Sequence, residues 1–74
     1  MDKQSGNPLQ HIFGSNMRKQ RLNLNISQEE LSFRAGLHRN YISDVERGTR
    51  NVSIISMEKI ANGLGIDLHE LLMR

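Results

Sequence analysis

The chain has 74 residues, 36% hydrophobic and 24% charged, with ten Lys/Arg against eight Asp/Glu and no cysteine. That length supports one small domain, which buries only about 60% of the surface its unfolded chain exposes. Disulfides are excluded, and His11, His38 and His69 lie too far apart in sequence for a structural zinc, so oligomerisation is the expected supplement to the core.

The stretch from Met1 to Asn7 is polar and reads as a flexible tail over residues 1–7, with the domain expected over residues 8–74. It lacks the apolar segment of an export signal, and no run approaches the roughly 18 apolar residues of a membrane span. A cytoplasmic protein without a membrane partner is expected. Asn7-Pro8 reads as a cap followed by a first-position proline. Leu9, Phe13 and Met17 then follow at helical spacing, so a first helix runs to about Leu22, with Asn23 and Asn25 ending it.

Ser27-Gln28-Glu29-Glu30 is a capping box, in which the Ser27 hydroxyl accepts from the Glu30 N–H and the Glu30 side chain reaches back. The short second helix stops at Gly36, since glycine takes the left-handed position after a helix without strain. A third helix runs from about His38 to Arg47 and stops at Gly48. Ser53 caps a fourth, whose apolar face is Ile54, Met57, Ile60, Ala61 and Leu64, and Gly63 and Gly65 break it. Asp67-Leu68-His69-Glu70 is a second capping box, opening a last helix through Leu71, Leu72 and Met73. Five helices with short connections give an all-α, compact five-helix bundle.

The second and third helices, joined by a tight turn containing Gly36, form a helix-turn-helix candidate spanning about residues 28–47. At about 100° per residue, Arg39, Asn40, Ser43, Asp44 and Arg47 share an arc of roughly 140° on the third helix. Tyr41, Ile42 and Val45 take the other side. The chemistry of the first face fits the major groove of DNA. An arginine donates twice to guanine, an asparagine pairs bidentately with adenine, and a carboxylate accepts from cytosine N4. Arg39 and Asn40 lie in the first turn, the end of a recognition helix that enters the groove, and the short Ser43 can lie over the bases. Arg34, Arg47 and Arg50 are placed to approach phosphates, as are Gln28 and the N–H groups at the start of the second and fourth helices.

Ser27-Gln28-Glu29-Glu30-Leu31, Ala35-Gly36-Leu37, Tyr41-Ile42-Ser43, Glu46-Arg47-Gly48 and Lys59 to Ile66 resemble the Cro/repressor helix-turn-helix family, also called the XRE family. The resemblance spans about residues 9–72 and implies a lambda-repressor-like DNA-binding domain. Within that family, His38 to Ser43 and Glu46 to Asn51 are most similar to the controller proteins of restriction–modification systems. The resemblance implies Arg39 and Asn40 as principal base readers, with Tyr41 and Ser43 near sugar or phosphate. It implies that Arg50 reaches DNA from the loop before the fourth helix, and that Gln28, Asn51 and Ser53 contact backbone phosphates. Arg21 and Glu46 match positions that form a structural ion pair. Three residues depart from the pattern: His38 where Ser or Thr caps the recognition helix, Ser32 for an alanine at the helix crossing, and Gln20 for an apolar residue.

Ile66, Leu68, Leu71, Leu72 and Met73 are more apolar residues than a short terminal helix buries in so small a domain, which points to a partner surface. The alternative is that they close the monomer core. The resemblance implies a homodimer contact with Ile55, Leu68, Leu71 and Leu72 at or beside it. A two-fold dimer reads a pseudo-palindrome with half-sites about one helical turn apart. The partners implied are double-stranded operator DNA, a second copy of the chain and a contact with RNA polymerase.

An enzyme is not expected. The sequence has no cysteine nucleophile, glycine-rich phosphate loop or metal-ligand cluster, and no cofactor or metal is expected. The expected function is sequence-specific transcriptional regulation, as the autoregulatory controller of a restriction–modification system. A phage-type repressor, or an antitoxin-like regulator using the same fold to grip a protein, is the alternative.

Overall fold

The computed structural model describes residues 8–74; the expected tail over residues 1–7 and the Asn7 cap lie outside the described residues. Four α-helices follow in order: α1 (Pro8–Asn23), α2 (Gln28–Ala35), α3 (Arg39–Arg47) and α4 (Ile54–Leu64). A one-turn 3₁₀ helix (Leu68–Leu71) closes the chain, and no strand occurs among the described residues.

Local chemistry explains most of the boundaries. Ser27 Oγ accepts from the Glu30 N–H at 2.9 Å and Ser53 Oγ from the Ser56 N–H at 3.0 Å, satisfying donors that a helix start leaves open. The Glu30 half of the first capping box does not form, because its carboxylate accepts from Arg34 Nε at 2.9 Å, one turn along the same helix. His38 makes no side-chain cap at the start of α3. Gly36 adopts φ 68°, and its N–H turns back to the carbonyls of Ser32 and Phe33 to end α2.

Phe13, Met17, Leu31, Ala35, Ile42, Val45, Ile60, Ala61, Leu64 and Leu71 form one core, to which every helix contributes. Two expected members stand outside it. Leu9 is exposed, so the buried row of α1 starts one turn later, at Phe13. Ile54 is exposed too, because Val52, ahead of the Ser53 cap, packs against the core where α4 begins.

The close packing has a specific device. α1 lies against α3, and a Cβ placed on Gly14 would collide with the backbone carbonyl oxygens of Val45 and Glu46. Only a bare Cα lets the two helices approach so closely. Ser32 is nearly as confined, and its hydroxyl donates to the Glu29 carbonyl at 2.7 Å, so it enters the interior already paired.

The fifth helix of the expected bundle is therefore a correction: the segment forms a single 3₁₀ turn. Asn16 of α1 ties the end of this turn to the first helix. Its side-chain amide donates to the Leu71 carbonyl at 3.0 Å and the Met73 carbonyl at 2.6 Å, satisfying acceptors that the end of a helix leaves open. Leu71 itself is 0% exposed. Leu71→Ala is expected to destabilise the fold by about 2–5 kcal/mol, read as a lower urea midpoint by circular dichroism, because the site has no solvent to fill the cavity. A loss under about 1 kcal/mol would show that the 3₁₀ turn is dispensable to the core.

Candidate nucleic-acid interface

α3 divides as its sequence requires. Ile42 and Val45 are buried, whereas Arg39, Asn40 and Arg47 are exposed and Ser43 and Asp44 half-buried on the outward side. The turn at Gly36 sets α3 across α2, and contacts with α1 hold it from behind. Arg39 and Asn40 thus stand at the free N-terminal end of a helix whose other face is fixed.

A buried ion pair pins that helix. Arg21 Nε donates to Glu46 Oε2 at 2.6 Å and Arg21 Nη2 to Glu46 Oε1 at 3.1 Å, with the side chains only 10% and 3% exposed. Arg21 Nη1 reaches the Ile26 carbonyl at 2.8 Å, and Gln28 Nε2 donates to Glu46 Oε1 at 3.1 Å. One fork thereby links the end of α1, the connection to α2, the first turn of α2 and the end of α3. Gln28, expected at a phosphate, has one amide hydrogen committed to this cluster and one left over.

The remaining polar residues are also distinguishable. Asp44 accepts from Arg47 Nη2 through Oδ1 and from Arg50 Nη2 through Oδ2, the second at 3.4 Å. Arg47 Nη1 also donates to Ser43 Oγ at 3.2 Å, and the Arg50 guanidinium lies 5.0 Å from the centre of the half-buried Tyr41 ring. Tyr41, Ser43, Asp44, Arg47 and Arg50 are therefore linked in one cluster, while Arg39 and Asn40 are exposed in the first turn of the same helix. Arg34 stands apart from it on α2, paired with Glu30. Asn51 bonds to Gln10 of α1, and the Ser53 hydroxyl oxygen is occupied in capping α4. Thr49 is a turn residue: its N–H and hydroxyl both donate to the Asp44 carbonyl at 3.1 Å.

The four residues expected at a dimer contact do not share one environment. Ile55 is 70% exposed and Leu72 39%, but Leu68 is half-buried against the core and Leu71 lies wholly inside it. Leu71 is thus corrected from a partner surface to the monomer interior. A mostly apolar groove is lined by Leu9, Gln10, Phe13, Asn51, Val52, Met57 and Leu72, and Ile54 and Ile55 are exposed at the start of α4. Asn16 and Gly14 were not among the residues singled out from sequence. Asn16 gives no signal there, since its partners lie more than fifty positions away, and a glycine inside a helical pattern is the one hint of the α1–α3 approach.

Among the described residues, no group of three His, Asp or Glu side chains could hold a metal ion, and no helix is long and apolar enough to cross a membrane. A short α2, a tight turn and a solvent-facing α3 rich in side chains able to hydrogen-bond base edges define a helix-turn-helix DNA-binding protein. A family model for the helix-turn-helix family HTH_3 matches residues 17–71, and the chain belongs to this family of DNA-binding transcription regulators. It is 51% identical over 67 residues to the control protein C.BamHI of Bacillus amyloliquefaciens, covering 89% of this chain and 83% of that one. The control protein C.MunI of a Mycoplasma species is 42% identical over 66 residues, covering 88% and 89%. The crystal structure of the restriction–modification controller protein C.AhdI from Aeromonas hydrophila superposes with a TM-score of 0.82 at 44% identity, covering 84% of this chain and 94% of that one.

Proposed function

We propose that this chain is the controller of a restriction–modification system, a homodimer that binds a pseudo-palindromic operator beside its own gene and sets the expression of methylase and nuclease. The observation that carries the reading is the outward face of α3, with Arg39 and Asn40 exposed in its first turn above a buried Ile42 and Val45. The likeness to control proteins supports the specific role. Arg39, Asn40 and Ser43 read base edges. Arg47, Arg50 and Tyr41 flank them toward the sugar-phosphate backbone, with the free N–H of Gln28 and the N-termini of α2 and α4 completing the phosphate contacts. Arg34, Asn51 and Ser53 reach phosphate only through the valences their internal bonds leave open.

The homodimer reading rests on the exposed Ile55 and on Leu72, which lines the groove. Ile55→Asp is expected to raise the dimer dissociation constant by about tenfold to a hundredfold, the worth of one buried aliphatic side chain. Sedimentation equilibrium measures it, and an unchanged dimer would move the interface elsewhere. A contact with RNA polymerase belongs to the same reading, since a regulator bound beside a promoter sits next to that enzyme; Phe33, exposed on α2, is a side chain free to meet it.

The deciding experiment is fluorescence anisotropy on the duplex upstream of the chain's own start codon, against a scrambled duplex, at two salt concentrations. A preference of about a thousandfold or more that survives the higher salt is the expected result. Equal, salt-sensitive binding to both duplexes would assign the helix-turn-helix surface to another use, including the grip on a protein that an antitoxin-like regulator makes.

A further inference from the structure

From the Asp44 pairings we infer that this residue is a positioning residue that sets specificity. Its carboxylate holds the Arg47 and Arg50 guanidinium groups on the reading face, so that DNA offering only phosphates must compete with it for them. The inference rests on the DNA-binding reading above and reassigns Asp44, which by residue type alone could accept from cytosine. Three observations carry it. Both carboxylate oxygens already accept from arginine, Oδ1 from Arg47 and Oδ2 from Arg50. Each arginine is also steadied by a second neighbour, Arg47 by Ser43 Oγ at 3.2 Å and Arg50 by the Tyr41 ring at 5.0 Å. The Asp44 side chain is 30% exposed, less than that of either arginine, so the pairings are partly shielded from solvent.

The consequence follows from how DNA binding divides. Phosphate contacts are independent of sequence and make up nearly all of non-specific affinity, whereas base contacts carry the discrimination. A carboxylate beside phosphates repels them, and it keeps two cations from joining the backbone freely. On random DNA nothing offsets that opposition. On the operator, Arg39 and Asn40 gain base contacts that do not require Arg47 and Arg50 to leave Asp44, so the opposition is smaller there. Asp44 therefore weakens binding to the wrong sequence more than to the right one.

Asp44→Asn tests this with little change in shape. The bonds that anchor the α3 C-terminus at this residue go to its backbone carbonyl, from Gly48 N, Thr49 N and Thr49 Oγ1, and these survive the substitution. Anisotropy on own-promoter and scrambled duplexes, as a salt series, is expected to show scrambled binding tightened by about three- to tenfold. Promoter binding should tighten less, and the salt slope on scrambled DNA should steepen by about one. Asp44→Glu should restore the wild-type ratio, which a purely structural role would not predict. A loss confined to one base pair of the operator, with scrambled binding unchanged, overturns the inference in favour of direct readout. Equal tightening on both duplexes, or no change on either, also overturns it. If wild-type protein shows no promoter preference, the DNA-regulator reading itself fails, and that outcome is read before any variant is compared.

Discussion

Glu46→Ala is expected to lower the unfolding free energy by about 3–5 kcal/mol, the range for removing one partner of a buried ion pair. The substitution leaves the Arg21 guanidinium buried with only the Ile26 carbonyl at 2.8 Å, and it takes from Gln28 its acceptor. At about 0.05–0.15 kcal/mol per residue, a domain of 74 residues has only about 4–11 kcal/mol in total, so this one change removes much of it. Urea unfolding followed by circular dichroism measures the effect, at fixed protein concentration because dimerisation would shift the midpoint. The pair's role in holding α3 predicts more than instability. Operator affinity should fall even at low temperature, where the variant is folded, since the C-terminal end of the recognition helix has lost its tie to α1. The double substitution Arg21→Met with Glu46→Leu should recover most of the stability, because a well-packed apolar pair avoids both desolvation terms. A loss below about 1 kcal/mol in Glu46→Ala would mean that water reaches the guanidinium and the pair is not a structural tie.

Arg39→Ala acts on the other side of the same helix and should leave the urea midpoint almost unchanged, since the side chain is exposed. Its expected effect is about 1–3 kcal/mol on operator binding, roughly five- to 150-fold, with discrimination relaxed at one base pair in each half-site. A panel of single-substitution operator duplexes read by anisotropy separates this from a phosphate contact, whose loss weakens every duplex alike. If the variant bound the operator as tightly as wild type, the reading face would have to be placed elsewhere on the domain.

Most helix boundaries were legible because their causes are local. Ser27 and Ser53 cap the helices that follow them, and Gly36, Gly48 and Gly65 end helices in the left-handed region. What could not be read depends on choices between partners. Glu30 can turn back to the backbone at Ser27 or pair with Arg34, and the sequence is the same for both; the structure takes the second. Leu71 suits a partner surface and a core equally, because both require only an apolar side chain, and it was the position of α1 that drew it inside. The last segment carries an α-helical pattern in sequence but closes as a 3₁₀ turn, with the Glu70 N–H on the Asp67 carbonyl and the Leu72 N–H on the His69 carbonyl. At the interface, residue type placed arginine, asparagine, serine and aspartate on one arc. It could not show that Asp44 faces two arginines of its own chain, since Arg50 lies beyond the end of the helix.

The contact at Gly14 bears on how such a protein could change its target. Because α1 meets the carbonyls of Val45 and Glu46 with no side chain between them, the tilt of α3 is set by backbone against backbone. The side chains at positions 39, 40 and 43 take no part in that contact. On the proposed reading face, exchange at those three positions is expected to change operator preference without disturbing the mount, whereas Gly14 belongs to the mount and leaves no room for a larger residue.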